Sequence, residues 1–332
     1  YVGVTGTGGG DPAYVFKLDS NGNFIWVDKF GGPGYDNSTV IAIDDSDDIV
    51  VTGIFQDTVD FDPSHLTYDL TAPVNGHNVF VLKLDSNGDF VWAGSIGNIA
   101  GDYIEPYDIA FDDLNDVVLS GGYAGTIDID PGALTVSIAS NGATDGFILK
   151  LDAAGNYMWA HSIGGSGEDV VTSIDFDNSN NMYSTGYFGS SVDFNSGIGT
   201  SIMSASGIVD GFVLKTNTNG DYIDAFSFEG TGATIPFQIN LDDFENIHLC
   251  GGFTETFDVD PSAATLSFTS NGNYDSFTCK FQSLVSINEL EISSKLLVKV
   301  VDYLGRECEP VNNKPLIYIF DDGSTQRVIK LQ

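Results

Sequence analysis

Basic residues are what this chain has least of. Only 12 lysines and arginines stand against 47 aspartates and glutamates, and the net charge is −35. A field of that sign repels phosphate groups and anionic lipid, so we expect no binding of nucleic acid. The sequence also has no apolar run that approaches the roughly 18 residues of a membrane span. We therefore expect no membrane insertion either.

Cysteine is equally scarce. The three cysteines are an odd number and do not make a disulfide framework. Cys250 and Cys279 stand where other parts of the chain carry threonine, serine or leucine, so we expect both to be small core residues. Cys308 lies alone near the C-terminus. No signal peptide is visible, and Tyr1 falls in the middle of a repeat, so we expect residues upstream of it to be missing.

What the sequence has in abundance is repetition. A lysine between apolar residues, followed by a glycine turn and an aromatic-rich segment, recurs at intervals of 66, 67, 65 and 65 residues. The lysines are Lys17, Lys83, Lys150, Lys215 and Lys280. A fixed period of this size indicates an array of similar units that bury their apolar faces against one another. Such symmetry weakens most enzyme hypotheses, because a catalytic site usually breaks it.

Each unit is predicted to contain four strands. In residues 34–99 they are Val40–Ile43, Ile49–Gly53 with an extension to Asp60, Val79–Leu84, and a stretch that begins at Phe90, with weaker strand character at 66–70. Asn87-Gly88 is a strong hairpin signal. No segment has helical periodicity. We therefore predict an all-β chain, a β-propeller of four-stranded antiparallel blades. A right-handed β-helix is the competing fold, but its coils are usually shorter and need no hairpins.

The repeat and a change in charge define the domains. We name the units blade A (1–33, partial), blade B (34–99), blade C (100–165), blade D (166–229) and blade E (230–282, incomplete). The partial units fit either a five-bladed ring with a shared blade or a larger ring whose upstream blades are absent. Residues 1–282 carry a net charge of about −34, whereas residues 283–332 carry about −1. We expect these last residues to form a separate, small β-sandwich-like domain.

The ordered motifs of one unit resemble a known family. Blade C ends with Phe147–Asp152, Gly155–Trp159 and Ile163–Gly165, and blade D follows with Asp177–Gly186. This order is similar to the bacterial β-propeller repeat (SBBP-type) family, and the resemblance covers about residues 1–282. It implies the propeller fold, but it does not imply a ligand.

Two recurring residues are predicted to belong to the scaffold. In so acidic a region, each repeat lysine is expected to pair with a neighbouring carboxylate or to lay its stem across the adjacent strand. Trp26, Trp92 and Trp159 are expected to wedge between blades. The fourth copy has Asp224 instead, so we expect a packing change there.

Pairs of aspartates before a proline also recur. They are Asp60 and Asp62, Asp128 and Asp130, and Asp258 and Asp260. Residues i and i+2 of a strand share a face, so each pair offers oxygen ligands that suit Ca²⁺. The other interpretation is a strand end closed by proline, with solvated acids that discourage edge pairing. The acidic turns such as 44–48 lack the twelfth-position ligand of an EF-hand and are interpreted as plain hairpin turns.

Catalytic motifs are missing from the sequence. The four histidines fall at unrelated repeat positions, and we find no nucleophile elbow, phosphate loop or zinc motif. We therefore predict a binding or adhesion protein and not an enzyme. Its loops are expected to bind a glycan or a surface protein. The alternative is a secreted hydrolase or lyase that uses paired carboxylates on the propeller scaffold.

The C-terminal residues resemble a sorting signal. The matching positions are Asp302, Gly305, Arg306, Pro315, Tyr318, Ile319, Asp321, Asp322 and Gly323, followed by an apolar strand. Their order is similar to the C-terminal sorting domain of Type IX secretion substrates, although Ile317 replaces the usual glycine and the tail is short. The resemblance implies passage through the periplasm, recognition by the Type IX translocon and an outer-membrane shuttle protein, and a secreted or cell-surface location. The alternative is a small β module without an address function.

Overall fold

The computed structural model describes residues 12–74, 76–97, 103–261 and 265–282, and the backbone of 297–301, 315–320 and 325–329. Every regular element in these ranges is a β-strand, so the all-β prediction is confirmed. The same ranges hold no helix that is long and apolar enough to cross a membrane. The chain divides into two compact units, residues 1–284 and 285–332.

The first unit is a series of antiparallel meanders. Blade A contributes β1 (Ala13–Leu18) and β2 (Phe24–Phe30). Blade B has the main strands β3 (Asn37–Ile43), β4 (Ile49–Phe55), β7 (Asn78–Leu84) and β8 (Phe90–Gly97), and the side hairpin β5 (Thr58–Asp60) and β6 (Asp69–Thr71). Blade C has β9 (Ile104–Phe111), β10 (Val117–Tyr123), β13 (Asp145–Leu151) and β14 (Tyr157–Ile163), with the side hairpin β11 (Thr126–Asp128) and β12 (Ser137–Ala139).

Blades D and E repeat this plan. Blade D has β15 (Asp169–Phe176), β16 (Met182–Phe188), β19 (Asp210–Thr216) and β20 (Tyr222–Phe228), with the side hairpin β17 (Ser191–Asp193) and β18 (Ile202–Ser204). Blade E has β21 (Thr234–Leu241), β22 (Ile247–Phe253) and β25 (Asp275–Phe281), with the side hairpin β23 (Thr256–Asp258) and β24 (Ser267–Thr269). In blades B, C and D, the four main strands pair in chain order, as in propeller blades.

The side hairpin corrects one expectation. We predicted that the second strand of blade B would run on to Asp60, but it ends at Phe55. Asp57 then takes a positive φ of 59°, as Gly125 (75°) and Glu255 (56°) do at the same position of blades C and E. A residue in this left-handed region interrupts the strand, because extended backbone needs a negative φ. The chain therefore leaves the main sheet and pairs with itself as β5 and β6.

The hydrophobic core lies between the blades. Each of four buried clusters combines side chains from two consecutive blades. One example joins Val50 and Val81 of blade B to Ile104 and Leu149 of blade C. Strands β10 and β13 are buried along their whole length, because a neighbouring blade covers each of their faces. Blades that pack face to face in this way hold one another at fixed positions.

Blade E departs from this pattern and corrects the expectation for Cys250. Thr52, Ser120 and Thr185 occupy the same position in blades B, C and D and are fully buried, whereas Cys250 is exposed. The reason is that no further blade in the described residues packs against this face of β22. Cys279 points to the opposite face and is partly buried against the core between blades D and E, and burial raises the pKa of its thiol to about 12.

The second unit contains a three-stranded antiparallel sheet. Its strands are β26 (Leu297–Val301), β27 (Pro315–Phe320) and β28 (Thr325–Ile329), and β27 lies in the centre. Of the residues that resemble a sorting signal, Pro315, Tyr318 and Ile319 lie in β27. The others, Asp302, Gly305, Arg306, Asp321, Asp322 and Gly323, lie outside the described residues.

Candidate ligand-binding site at the loop end of the blades

Each blade has two unlike ends. At one end, tight turns join the first strand to the second and the third to the fourth; we call this the turn end. At the other end, the side hairpins and the connections to the next blade emerge; we call this the loop end. The repeat lysines lie at the turn end, whereas the residues that do not repeat lie at the loop end, and this difference locates the candidate site.

The repeat lysines lie towards the turn end, where they pair with aspartates. The first aspartate of the acidic turn accepts a hydrogen bond from the lysine in each of blades B to E. The Nζ–Oδ2 pairs are Lys83–Asp44 (2.7 Å), Lys150–Asp112 (2.7 Å), Lys215–Asp177 (3.1 Å) and Lys280–Asp242 (2.6 Å). The predicted lysine–carboxylate pairing is therefore confirmed in these four blades. In blade A, Lys17 donates instead to the carbonyl oxygen of Ser86, 2.9 Å away in the turn of blade B.

These aspartates also organise the turns. Burial alone raises the pKa of Asp112, but hydrogen bonds from Lys150 and from the amides of Leu114 and Asp116 outweigh it and lower the pKa below its usual value. Oδ1 of Asp112 accepts both of these amides at 2.9 Å. The same two amide contacts recur at Asp44 and Asp177. The acidic turns are thus plain hairpin turns closed by a side chain, as predicted.

The tryptophans also act at the turn end. Trp92 of blade B lies over Gly155 in the turn of blade C, where an added Cβ would stand 2.7 Å from Cδ2 of the indole. Its Nε1 donates to the carbonyl oxygen of Ala153, at 3.2 Å. Trp26 and Trp159 lie in the same way against the turn glycines of the following blades. The predicted wedge between blades is confirmed.

The aspartate pairs before proline close the side hairpins. Oδ1 of Asp60 accepts the amides of Asp62 and Tyr68, at 3.1 and 2.8 Å. Asp128, Asp193 and Asp258 make the same two contacts. The residue inside each pair packs inward, as Phe61, Ile129 and Val259 show.

These hydrogen bonds give the pairs a structural role. No group of three or more His, Cys, Asp or Glu side chains able to share a metal ion is found in the described ranges. Calcium binding by Asp60, Asp62, Asp128, Asp130, Asp258 and Asp260 stays a prediction. An equal melting temperature in calcium and in chelator would remove it.

Buried aspartates support the loop end. Asp169 accepts the amides of Gly165 and Gly189, at 2.7 and 3.0 Å, and so ties two loops together. Asp145 is fully buried, and its Oδ2 accepts from Ser162 Oγ and from the Asn141 amide. Burial raises the pKa of both carboxyls, and the charge of Asp145 raises that of Asp169 further. Since each holds loop atoms, we interpret this pair as structural.

Four tyrosines from three blades converge at the loop end. Tyr103 and Tyr107 belong to blade C, and their hydroxyl oxygens lie 2.7 Å apart. Tyr187 of blade D donates to the carboxylate of Glu168, at 3.2 Å. Tyr274 of blade E lies over Gly252. Together with Glu105 and Glu168, we call these residues the tyrosine–glutamate patch: Tyr103, Tyr107, Tyr187, Tyr274, Glu105 and Glu168.

The patch residues act on one another's pKa values. Burial raises the pKa of Tyr187, and Glu168, Tyr107 and Tyr274 raise it further. Burial and the hydrogen bond with Tyr107 raise the pKa of Tyr103, to which Glu105 and Tyr187 add. Both hydroxyls therefore stay neutral at physiological pH. Tyr103, Tyr107 and Tyr274 remain 37%, 38% and 49% exposed, so their rings are accessible to a ligand.

The patch breaks the repeat. The position of Tyr187 is a glycine in blades C and E, Gly122 and Gly252. Thr172 occupies the position of Tyr107 in blade D. The sequence analysis missed these residues because it followed the residues that recur. The signal that would have found Tyr107 and Tyr187 is the opposite one, namely a large aromatic residue at a position where another unit has glycine or threonine.

Comparisons with known proteins support a repeat scaffold without defining a ligand. No known protein family matches the chain. An uncharacterized WD repeat-containing protein of Acanthamoeba polyphaga mimivirus is 27% identical over 229 residues, which cover 61% of this chain and 16% of the viral protein. The chain thus spans a small part of that protein's length. Together with the four-stranded blades, this similarity indicates a β-propeller repeat protein.

One solved structure is also similar. It is the crystal structure of a protein of unknown function from Bacteroides caccae, 10% identical, with 74% of this chain and 87% of that chain covered. The TM-score is 0.21, which is too low to support an argument about the fold.

Proposed function

We propose that the propeller unit is the binding module of a secreted or cell-surface protein, and that it binds its ligand at the tyrosine–glutamate patch. The observation that carries this proposal is the convergence of four tyrosines from blades C, D and E at the loop end. Exposed loops on a rigid array are where binding residues concentrate. Aromatic rings with polar tips supply large contact area at low entropic cost.

The scaffold suits this role because its packed strands and hydrogen bonds between blades hold the patch residues in place. Tyr187 lies on β16, which is buried between neighbouring blades, and Tyr107 lies on β9, whose residues Ile104, Pro106 and Ile109 are buried. Asp108 of blade C also accepts hydrogen bonds from Ser173 Oγ and the amide of Ile174 in blade D, at 2.7 and 2.9 Å. These bonds lock the first strands of the two blades together. The tyrosines are therefore preorganised, which lowers the entropic cost of binding.

The test is a comparison of three proteins on glycan and peptide arrays. The wild type is compared with a double variant, Tyr107→Leu with Tyr187→Leu, and with the control Tyr35→Leu. Tyr35 is an exposed tyrosine at the same repeat position of blade B as Tyr103 of blade C. We expect at least one ligand that the wild type and the control bind and the double variant does not. Ligands that all three bind equally would overturn the proposal.

We also propose that residues 283–332 direct export by the Type IX secretion system. The support is the ordered sequence resemblance, which continues through the central strand β27 of the small sheet. The test is the location of a reporter with and without these residues in a Type IX-competent bacterium. Export of the tailed reporter alone is the expected result. Retention of both reporters in the periplasm would overturn this part and would leave the binding proposal intact.

The alternative, a carboxylate-dependent hydrolase or lyase, stays a hypothesis. A specific observation in its favour would be two carboxylates that face a common substrate space. The charge of Asp145 raises the pKa of Asp169, but the hydrogen bonds of both carboxylates to the loops give them a structural role. We therefore propose ligand binding at the tyrosine–glutamate patch as the function, and not catalysis by Asp145 and Asp169.

A further inference from the structure

We propose that the tyrosine–glutamate patch binds the ammonium groups of lysine side chains on a partner polypeptide. This inference rests on the proposed function and names the ligand class of the same site. It follows from three features of the patch, which are its rings, its charge and its shape.

The rings supply the first argument. The face of an aromatic ring attracts a cation, and several rings around one point make a cage that favours ammonium groups. Tyr103 and Tyr107 meet at their hydroxyl oxygens, 2.7 Å apart, Tyr187 donates to Glu168, and Tyr274 and Glu105 are their neighbours. Glu168 accepts the hydroxyl hydrogen of Tyr187, so the carboxylate is held beside the ring and adds its charge to the same attraction. An ammonium group that enters this space meets tyrosine side chains and a carboxylate together.

The charge distribution supplies the second argument. Among residues 103–282, the basic residues are Lys150, Lys215 and Lys280 alone. All three pair with the aspartates of the turn end. The acids of the loop end in these blades, Glu105 and Glu168 among them, therefore have no lysine or arginine of their own blades to neutralise them. A positively charged partner would complement this surface, whereas an acidic one would be repelled.

The shape supplies the third argument and favours a polypeptide. Tyr103, Tyr107 and Tyr274 are between a third and a half exposed. The first two belong to blade C and the third to blade E, and blade D lies between these blades in the chain. A small free ammonium compound would be only partly surrounded on such an open surface. A polypeptide can instead contribute several lysines along an extended segment, and each would add its own contact.

The experiment measures the binding of three peptides of equal length to the intact chain by titration calorimetry. One peptide carries lysine, one carries trimethyllysine, and one carries an uncharged carbon isostere with a tert-butyl group. A ring-based site binds both cationic peptides and binds the isostere at least tenfold more weakly. Each ring is expected to contribute about two- to fivefold in affinity.

The variants separate the patch from the general negative charge. Tyr107→Leu with Tyr187→Leu keeps the net charge, and we expect it to weaken the cationic peptides about four- to twenty-five-fold. Tyr35→Leu is the matched control and should bind like the wild type. Equal binding of the isostere, or unchanged binding by the double variant, would overturn the inference.

Failure of this inference differs from failure of the proposed function. If the double variant loses an uncharged glycan on the arrays but binds the cationic peptides like the wild type, the patch is a binding site of another class. If no ligand depends on the patch, both statements fail.

Discussion

The turn end and the loop end of the same blades differ in what repeats. At the turn end, the pair formed by Lys83 and Asp44 recurs three more times, and the tryptophan wedge recurs between successive blades. At the loop end, Tyr107, Tyr187 and Tyr274 have no tyrosine at the same repeat position in the other blades from B to E, and Tyr103 has one, Tyr35 of blade B. Residues that recur in every unit build the array, whereas residues that appear once are free to recognise a ligand. The comparison predicts that the two ends fail in different ways when they are altered.

The largest expected effect is at the turn end. Lys150 and Asp112 have side chains only 5% and 1% exposed. Lys150→Ala leaves a buried carboxylate without its cation, which costs about 3–5 kcal/mol. We expect the free energy of unfolding, measured in urea, to fall by that amount while the patch keeps its ligand affinity.

Lys280→Ala is the control for this prediction. Lys280 and Asp242 form the same pair in blade E, but their side chains are 51% and 26% exposed. Water screens this pair, so its loss should change stability far less. Equal losses from the two variants would show that burial between blades does not set the strength of the pair.

The next effect concerns the turn glycines. Gly22 and Gly155 have nearly the same φ, +81° and +82°, but only Gly155 lies against a tryptophan. Gly22→Ala should cost about 1–2 kcal/mol for the left-handed backbone. Gly155→Ala should cost about 2–4 kcal/mol, because the new Cβ also displaces Trp92. A comparison of the two urea midpoints checks this, and equal costs would argue against the wedge.

A smaller effect distinguishes two kinds of buried aspartate by pH. The folded pKa of Asp112 is lowered, so its stabilising contribution is present above the unfolded pKa of about 4 and is lost as the pH falls. The folded pKa of Asp145 is raised, so its contribution is present in acid and is lost as the pH rises.

Urea unfolding between about pH 3.5 and pH 7 checks the sign of both contributions. The difference in the free energy of unfolding between the wild type and Asp112→Asn should grow as the pH rises. The free energy of unfolding of Asp145→Asn should increase relative to that of the wild type over the same pH range. Parallel curves for the two variants would contradict the assignment of the two roles.

Much of the scaffold could be predicted from the sequence because it depends on local signals that recur. The spacing of Lys83 and Lys150 predicted the units, and the alternation of apolar residues and Asn-Gly turns predicted the strands. The side hairpin was missed because a positive φ at Asp57 interrupts a run that otherwise looks continuous. Burial of Cys250 was predicted wrongly because the neighbours of a blade are a property of the array and not of the unit.

The candidate site could not be predicted in the same way. Tyr103, Tyr187 and Tyr274 are far apart in the sequence and share no motif, and only the packing of blades C, D and E brings them together. The position of Tyr103 carries Glu168 in blade D, although blade B has Tyr35 there. The positions of Tyr187 and Tyr274 carry Gly122 and Thr144 in blade C. A periodic pattern contains no information about such a site, except that the pattern is broken there.

The most direct test of the separation between scaffold and site measures stability and peptide affinity together in two variants. Lys150→Ala should lose stability and keep its affinity for the trimethyllysine peptide, measured where it remains folded. Tyr107→Leu with Tyr187→Leu should unfold within about 1 kcal/mol of the wild type and lose its affinity. If Lys150→Ala alone lost affinity, or if the tyrosine variant kept it, the loop end would not be the binding site and the account would be contradicted.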